Sequence, residues 1–242
     1  MTLTYIYHSC FVAETDSAAI IFDYWRDNAQ QQVQRLVQTT EKQVYFVVSH
    51  FHEDHFNPDI LTLGADRANA PRVLISNDTR KRRRIPAEVP TAVLHADDVY
   101  SDEHLTLKAF RSTDVGVSTL VELPGGETLF HAGDLNNWYF PEGEERLKVT
   151  LDEMEGLFLS IVRQIAHTRQ KVQHVMFPVD PRLGASMLRG PFQWLNNIET
   201  EHFYPMHFWG QVQQISQPLA QLQENFPHTQ FHLPEEPTDT RQ

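Results

Sequence analysis

Five consecutive apolar residues, Val44-Tyr45-Phe46-Val47-Val48, run through Ser49 straight into His50-Phe51-His52-Glu53-Asp54-His55. A β-branched and aromatic run without polar alternation reads as a strand buried on both faces, as in a sheet covered by helices. The polar residues that follow it therefore stand at the rim of a core. His50 and His52 are two apart, a spacing that points both imidazoles to one side at a strand end. Asp54 and His55 follow where the chain must turn. Neutral imidazole and carboxylate together suit zinc, manganese or iron rather than calcium, and no cysteine lies nearby to make a thiolate structural zinc site. A solvated, histidine-rich loop is the plain alternative, but it leaves unexplained why the cluster directly follows a buried strand.

The rest of the chain reads as a mixture of short strands and helices. Leu3 to Tyr7, Phe11 to Glu14 and Ala18 to Phe22 form a strand meander. Asn28 is placed to cap a helix carrying Val33, Leu36 and Val37, and Asn57-Pro58-Asp59 reads as a second helix start. Val73 to Ile75, Ala92 to Leu94 and Leu105 to Phe110 are further strands. Gly116 to Leu123 and Glu127 to His131 form a hairpin across Pro124-Gly125-Gly126. Leu147, Leu151, Met154, Phe158, Ile161 and Ile165 make one apolar helical stripe. Val172 to Phe177 is a strand, Pro191 to Ile198 a helix, His202 to Tyr204 a short strand, and Val212 to Phe226 a last helix. Strands and helices mix in both halves, and neither a linker nor a sequence repeat divides them. One α/β domain over residues 1–233, with a fraying proline- and acid-rich tail at 234–242, is the economical expectation.

Composition narrows the partners. With 242 residues and 40% hydrophobic content, the chain can bury one sizeable core. No stretch approaches the ~18 apolar residues of a membrane span, and the start lacks the basic-then-apolar pattern of a signal peptide, so a cytoplasmic protein without a membrane partner is expected. The single cysteine, Cys10, excludes an internal disulfide. A formal charge of −12 repels nucleic acid. Arg80-Lys81-Arg82-Arg83-Arg84 breaks that trend; a solvated loop is the expected reading, and a patch that receives an anionic substrate the sharper one.

Ser49 to His55 resembles the HxHxDH signature of the metallo-β-lactamase superfamily, and further marks fall in the family's order. Asp23 in Ile-Phe-Asp-Tyr, Gly133-Asp134 after Ala132, and His207 in Pro-Met-His-Phe match its preceding aspartate, metal-bridging aspartate and late histidine. Within the superfamily, His8-Ser9 and His131-Ala132-Gly133-Asp134 are similar to the branch of ascorbate-6-phosphate lactonase and the N-acyl-phosphatidylethanolamine phospholipase. The resemblance implies a four-layer αββα sandwich with metals at one edge between two sheets.

It also implies a ligand set: His50, His52 and a third residue on one ion, Asp54, His55 and His207 on the other, and Asp134 between them. The third residue is a histidine in the family. Ala109 to Gly116 contains none, and Asp114 is the expected substitute, with His131 the other candidate and more naturally a packed strand histidine. Asp23 is expected to orient the ligand loop. His8 is expected to touch substrate or protonate a leaving group, and Asp54 to serve catalysis as well as metal. Arg182, beside Asp180, is expected either to bind a substrate anion or to pair with that aspartate. His95 and His104 read as surface or core residues.

Two divalent ions follow, zinc first, with manganese or iron as alternatives that a carboxylate at position 114 favours. The implied activity is hydrolysis by a metal-bound hydroxide of a small anionic metabolite, either a lactone or a phosphate ester. A catalytically idle metal-binding sensor or scaffold of the same fold is the alternative. Self-association is left open.

Overall fold

The computed structural model describes residues 1–140 and 150–234. Leu147 of the apolar stripe and the tail beyond Pro234 lie outside the described residues.

The first sheet grows outward in sequence order. Strands β1 (Thr2–Tyr7), β2 (Cys10–Glu14) and β3 (Ala18–Phe22) form the antiparallel meander. Helix α1 (Gln32–Thr39) then carries the chain to β4 (Gln43–Val48), which pairs parallel with β3 and with β5 (Arg72–Ser76). Helix α2 (Asn77–Arg82) leads to the parallel edge strand β6 (Ala92–Leu94). Every residue of β4 from Val44 to Val48 is buried, as a strand covered on both sides requires. Alternate side chains divide between two cores: Ile20, Phe22, Tyr45 and Val47 face one, while Ile21, Val44, Phe46 and Val48 face the other together with Val33 and Val37 of α1.

The second sheet repeats this plan. Strands β7 (Val99–Ser101), β8 (Thr106–Arg111), β9 (Val117–Glu122) and β10 (Thr128–His131) are antiparallel. The strands β11 (Lys171–Pro178), β12 (Glu199–Met206) and β13 (Gln230–Phe231) continue in parallel, linked by α3 (Leu151–Thr168), α4 (Arg189–Leu195) and α5 (Val212–Asn225). The orders are β1-β2-β3-β4-β5-β6 and β13-β12-β11-β10-β9-β8-β7. Phe158, Ile161 and Ile165 of α3 and Ile215 and Leu219 of α5 close the outer core. The result is a single αββα sandwich whose two halves repeat in topology, although no repeat is legible in the sequence. None of the described helices is long and apolar enough to cross a membrane.

Several sequence expectations are corrected. The first helix begins at Gln32, not at Asn28. Asn28 still serves it by accepting the Gln32 N–H, but Asp27 satisfies the next free amides, those of Val33 and Gln34. The basic run is not a loop: Arg80 to Arg82 form the last turn of α2, where positive charge complements the helix dipole. Arg83 donates from Nε to the Phe51 carbonyl at 2.7 Å, and Arg80 to Thr91 Oγ1 at 2.5 Å, so part of the run braces the fold. The short strands β7 and β13 have too few residues to show a period.

Two glycines seat the histidine segment. Gly116 has φ +75° in the turn between β8 and β9, and a Cβ there would meet the Ser49 carbonyl at 2.1 Å and His50 Cβ at 2.6 Å. Gly133 has φ +53°, and a Cβ there would meet Ser49 Cβ at 2.7 Å. The second sheet thus presses bare backbone against the end of β4. Gly116→Ala combines a left-handed backbone with a clash that has no flexible atom to yield. It should lower the thermal midpoint by roughly 5–15 °C, which differential scanning calorimetry on the wild type and variant would measure.

Candidate metal centre

The site lies where parallel strands of both sheets end. Asp23 follows β3, His50 to His55 follow β4, Asp134 follows β10, Asp180 follows β11 and His207 follows β12. This is the expected place for ligands in sheets of this type, because the strand ends deliver side chains from adjacent strands to one crevice. The β1–β2 turn brings His8, and the β8–β9 turn brings Asp114.

The donors fall into two adjoining groups. His50, His52, Asp114 and Asp134 offer ligand atoms all within 4.8 Å of one another, and so do His8, Asp54, His55 and His207. Asp134 joins them: its Oδ2 lies 3.5 Å from His50 Nε2, and its Oδ1 lies 3.1 Å from His55 Nε2 and 3.4 Å from His207 Nε2. Asp114 Oδ2 lies 3.3 Å from His52 Nδ1. The first group opens to solvent through the His52 and Asp114 side chains, 42% and 35% exposed, whereas His8, His55 and His207 in the second are buried.

The histidines are held as metal ligands are held. His55 Nδ1 pairs with Asp23 Oδ2 at 2.7 Å, His207 Nδ1 with Asp180 Oδ2 at 3.0 Å, and His50 Nδ1 with Ser49 Oγ at 2.9 Å. The other nitrogens, Nε2 of His50, His55 and His207, are buried without a hydrogen-bond partner, as is Asp134 Oδ1. Fixing one ring nitrogen on a carboxylate or hydroxyl and leaving the other bare sets the tautomer that a cation needs. Four buried, unpartnered donors in contact distance fit a pair of divalent ions and fit nothing apolar.

The electrostatics agree. Burial pushes His50 down to about 4, so it stands neutral. Burial opposes charge on His55 too, but Asp134 and Asp23 outweigh it and lift this imidazole well above its usual value; His207 rises to about 9 because Asp134, Asp180 and Asp54 outweigh its burial. Burial alone would raise Asp134, yet His55, His207 and His50 hold it well below the carboxylate range.

Of the remaining sequence candidates, Asp23 accepts from Ser49 N–H at 2.7 Å, Ser49 Oγ at 2.6 Å and His55, tying the histidine segment to β3. His131 is fully bonded: its Nε2 meets Ser9 O at 2.8 Å, and its Nδ1 accepts from Gly133 N–H at 3.1 Å. It stacks on Phe22 and has no nitrogen left for a metal. Arg182 pairs with Asp180, with Nη2 to Oδ2 at 2.5 Å, and its guanidinium lies 4.8 Å over Trp209. His95 is exposed beside Asp98, and His104 contacts Ser17, both away from the site.

Sequence reasoning missed several supports. Thr113 Oγ1 donates to Asn136 O at 2.7 Å and accepts from Asn136 N–H, linking the Asp114 turn to the Asp134 loop. Asp78 accepts from Phe51 N–H at 3.3 Å. Trp138 Nε1 donates to Asp134 O at 2.9 Å. Trp25 and Trp209 flank His8 at ring distances of 5.7 and 4.4 Å. A faint signal existed: Trp25, Trp138 and Trp209 each follow an expected site aspartate or histidine by two to four residues.

A family model described as the beta-lactamase superfamily domain matches residues 2–183. No curated protein matches the chain. Among solved structures the chain is similar to Igni18, a novel metallo hydrolase from the archaeon Ignicoccus hospitalis KIN4/I, with 16% identity, a TM-score of 0.65, and 97% of this chain and 94% of that one covered. It is also similar to a possible metal-dependent hydrolase from Veillonella parvula DSM 2008, with 11% identity, a TM-score of 0.59 and 97% of both chains covered. CmlA, a diiron beta-hydroxylase from Streptomyces venezuelae, shares 13% identity with a TM-score of 0.62; the match covers 96% of this chain and 52% of CmlA. At these identities the likeness is one of fold.

Two measurements follow from this geometry. Because the surrounding carboxylates raise both His55 and His207 above the usual imidazole value, an ion binding there competes with ring protons, so loading ions at pH 7 should release protons and affinity should rise with pH. Calorimetric titration in buffers of different ionisation enthalpy counts those protons, and no release would contradict the assignment. For Asp114, the Ala variant should lose most of one ion equivalent by elemental analysis, the Asn variant should lose nearly as much because it keeps shape without charge, and the His variant should bind while shifting preference toward zinc. Full metal content in both the Ala and Asn variants would show that Asp114 is a bystander.

Proposed function

The chain belongs to the beta-lactamase superfamily domain family, and on that premise we propose that it is a metal-dependent hydrolase with a dinuclear centre acting on a small anionic substrate, a lactone or a phosphate ester. The observation that carries this reading is the convergence of buried, unpartnered imidazole nitrogens on Asp134. His50, His52, Asp114 and Asp134 would hold one ion, Asp54, His55 and His207 the other, with Asp134 shared. Bound there, two divalent ions supply Lewis-acid activation of water and of the scissile bond, so no strong protein base is required. Zinc suits the imidazoles, and Asp114 moves the first group toward manganese or iron.

The chain's own residues do the rest. Asp23 and Asp180 fix the tautomers of His55 and His207. The exposed edges of His52 and Asp114 form the side from which a substrate reaches the centre. The anionic class is supported by Arg26, whose guanidinium stacks 3.8 Å over Trp25, beside His8. Among the described residues no carboxylate pairs with it, which leaves a cation free for a substrate carboxylate or phosphate. The finer likeness to the ascorbate-6-phosphate lactonase branch rests on His8-Ser9 and the His131-to-Asp134 run, and it puts lactones and phosphate esters first among substrates to try.

The test is elemental analysis of protein purified without chelator, followed by a screen of lactones, phosphomonoesters and phosphodiesters with Asp134→Ala as control. About two transition-metal ions per chain are expected, with turnover lowered on the order of 100-fold or more in the variant and at least one ion weakened. Metal at trace level after metal-replete growth, or normal turnover in Asp134→Ala, would overturn the proposal.

A further inference from the structure

His8 occupies a place that the ligand set does not explain. It sits with Ser9 at the tip of the β1–β2 hairpin, between the paired residues Tyr7 and Cys10. Its φ is +54°, a left-handed conformation that hairpin tips usually give to glycine, asparagine or aspartate. A histidine there costs about 1 kcal/mol or more in backbone strain. The side chain is nevertheless fully buried, turned into the protein rather than out to solvent. His207, itself at φ +61°, donates its backbone N–H to the His8 carbonyl at 3.1 Å, and the two rings lie 4.3 Å apart. Two strained backbones, from opposite ends of the chain, hold each other so that both imidazoles face one point.

That point is Asp54. Its Oδ2 lies 3.2 Å from His8 Nε2, 3.7 Å from His55 Nε2 and 3.6 Å from His207 Nε2. Three imidazoles around one carboxylate oxygen exceed what hydrogen bonding alone organises, since two of the three nitrogens have no partner. A cation held among them would give the bare Nε2 atoms of His55 and His207 a partner; on His8 the unpartnered nitrogen is Nδ1, while its Nε2 faces Asp54.

We propose that His8 is a direct ligand of the ion held by Asp54, His55 and His207, rather than a proton donor to the leaving group. This rests on the dinuclear reading above and adds a donor to it. With His8 the second position has four donors of its own, plus the shared Asp134, and it is walled by Trp25 and Trp209. An ion held there would be the more firmly kept of the two. Exchange with substrate belongs to the more exposed group of His50, His52 and Asp114.

The experiment loads wild-type protein, labelled with ¹⁵N in its histidines, with ¹¹³Cd²⁺ and records cadmium–nitrogen coupling. A His8 ring nitrogen should be split by cadmium, together with those of His55 and His207, and the split signal should vanish in His8→Asn. Asparagine tolerates the left-handed turn and so preserves the fold, but it is too short to reach the ion. Equilibrium dialysis of zinc or manganese against chelator gives the second readout, on His8→Asn and His8→Gln. Both variants should release one ion at a chelator strength on the order of 100-fold lower than the wild type does, with the other ion unchanged. Coupling at His55 and His207 but not at His8, or wild-type retention of both ions in the two variants, overturns the proposal and returns His8 to a catalytic or packing role. Coupling at no histidine would instead overturn the dinuclear reading on which it rests.

Discussion

Asp23 is a carboxylate buried at the end of a strand, and the site is built outward from it. Its backbone is left-handed, with φ +44°, and is held by a bond from its N–H to the Val47 carbonyl. Its two oxygens take three donors, the Ser49 amide, the Ser49 hydroxyl and His55 Nδ1. Charge-assisted bonds of this kind contribute about 1.5–3 kcal/mol each, enough to offset much of the several kcal/mol that burying the charge costs. Burial alone would protonate it, yet His131, His55 and the bond from His55 keep it ionised. Ser49 then passes the constraint to His50 through its own hydroxyl, so one carboxylate positions a histidine of each ligand group.

The second sheet completes what Asp23 starts. Gly133 and Gly116 press against Ser49 and His50 where no side chain would fit, and Thr113 ties the turn carrying Asp114 to the loop carrying Asp134. Neither sheet holds a full ligand group. The first supplies His8, His50, His52, Asp54 and His55, and the second supplies Asp114, Asp134 and His207. The centre is therefore a property of the packed sandwich.

The repeated topology explains why the residues meet. In each half an antiparallel meander gives way to parallel strands joined by helices, and parallel strands end on one side. Packing two such sheets face to face brings both sets of strand ends to the same rim. The gradient across that rim, from the enclosed His8–His207 side to the exposed His52–Asp114 side, gives the centre a closed end and an open one.

The order of elements was legible because local pattern carries it. The unbroken apolar run of β4 marked a strand covered on both faces, and the three- and four-residue spacing of Met154, Phe158, Ile161 and Ile165 marked α3. The cluster His50 to His55 was legible as metal-binding from its residue types and spacing, whereas Asp134 and His207 were reached only through the family resemblance. The strands β7 and β13 were too short to show a period, and α2 was hidden under a run of charge. What the tertiary structure alone decided is which nitrogen of each histidine is held and which is bare, that His131 is spent on Ser9 and Gly133, and that His8 turns inward onto Asp54. The sequence by itself determined the kinds of donor and their order along the chain. Their grouping into two neighbouring sites depended on contacts between residues as many as 199 positions apart, such as the bond from His207 to His8, which no local pattern encodes.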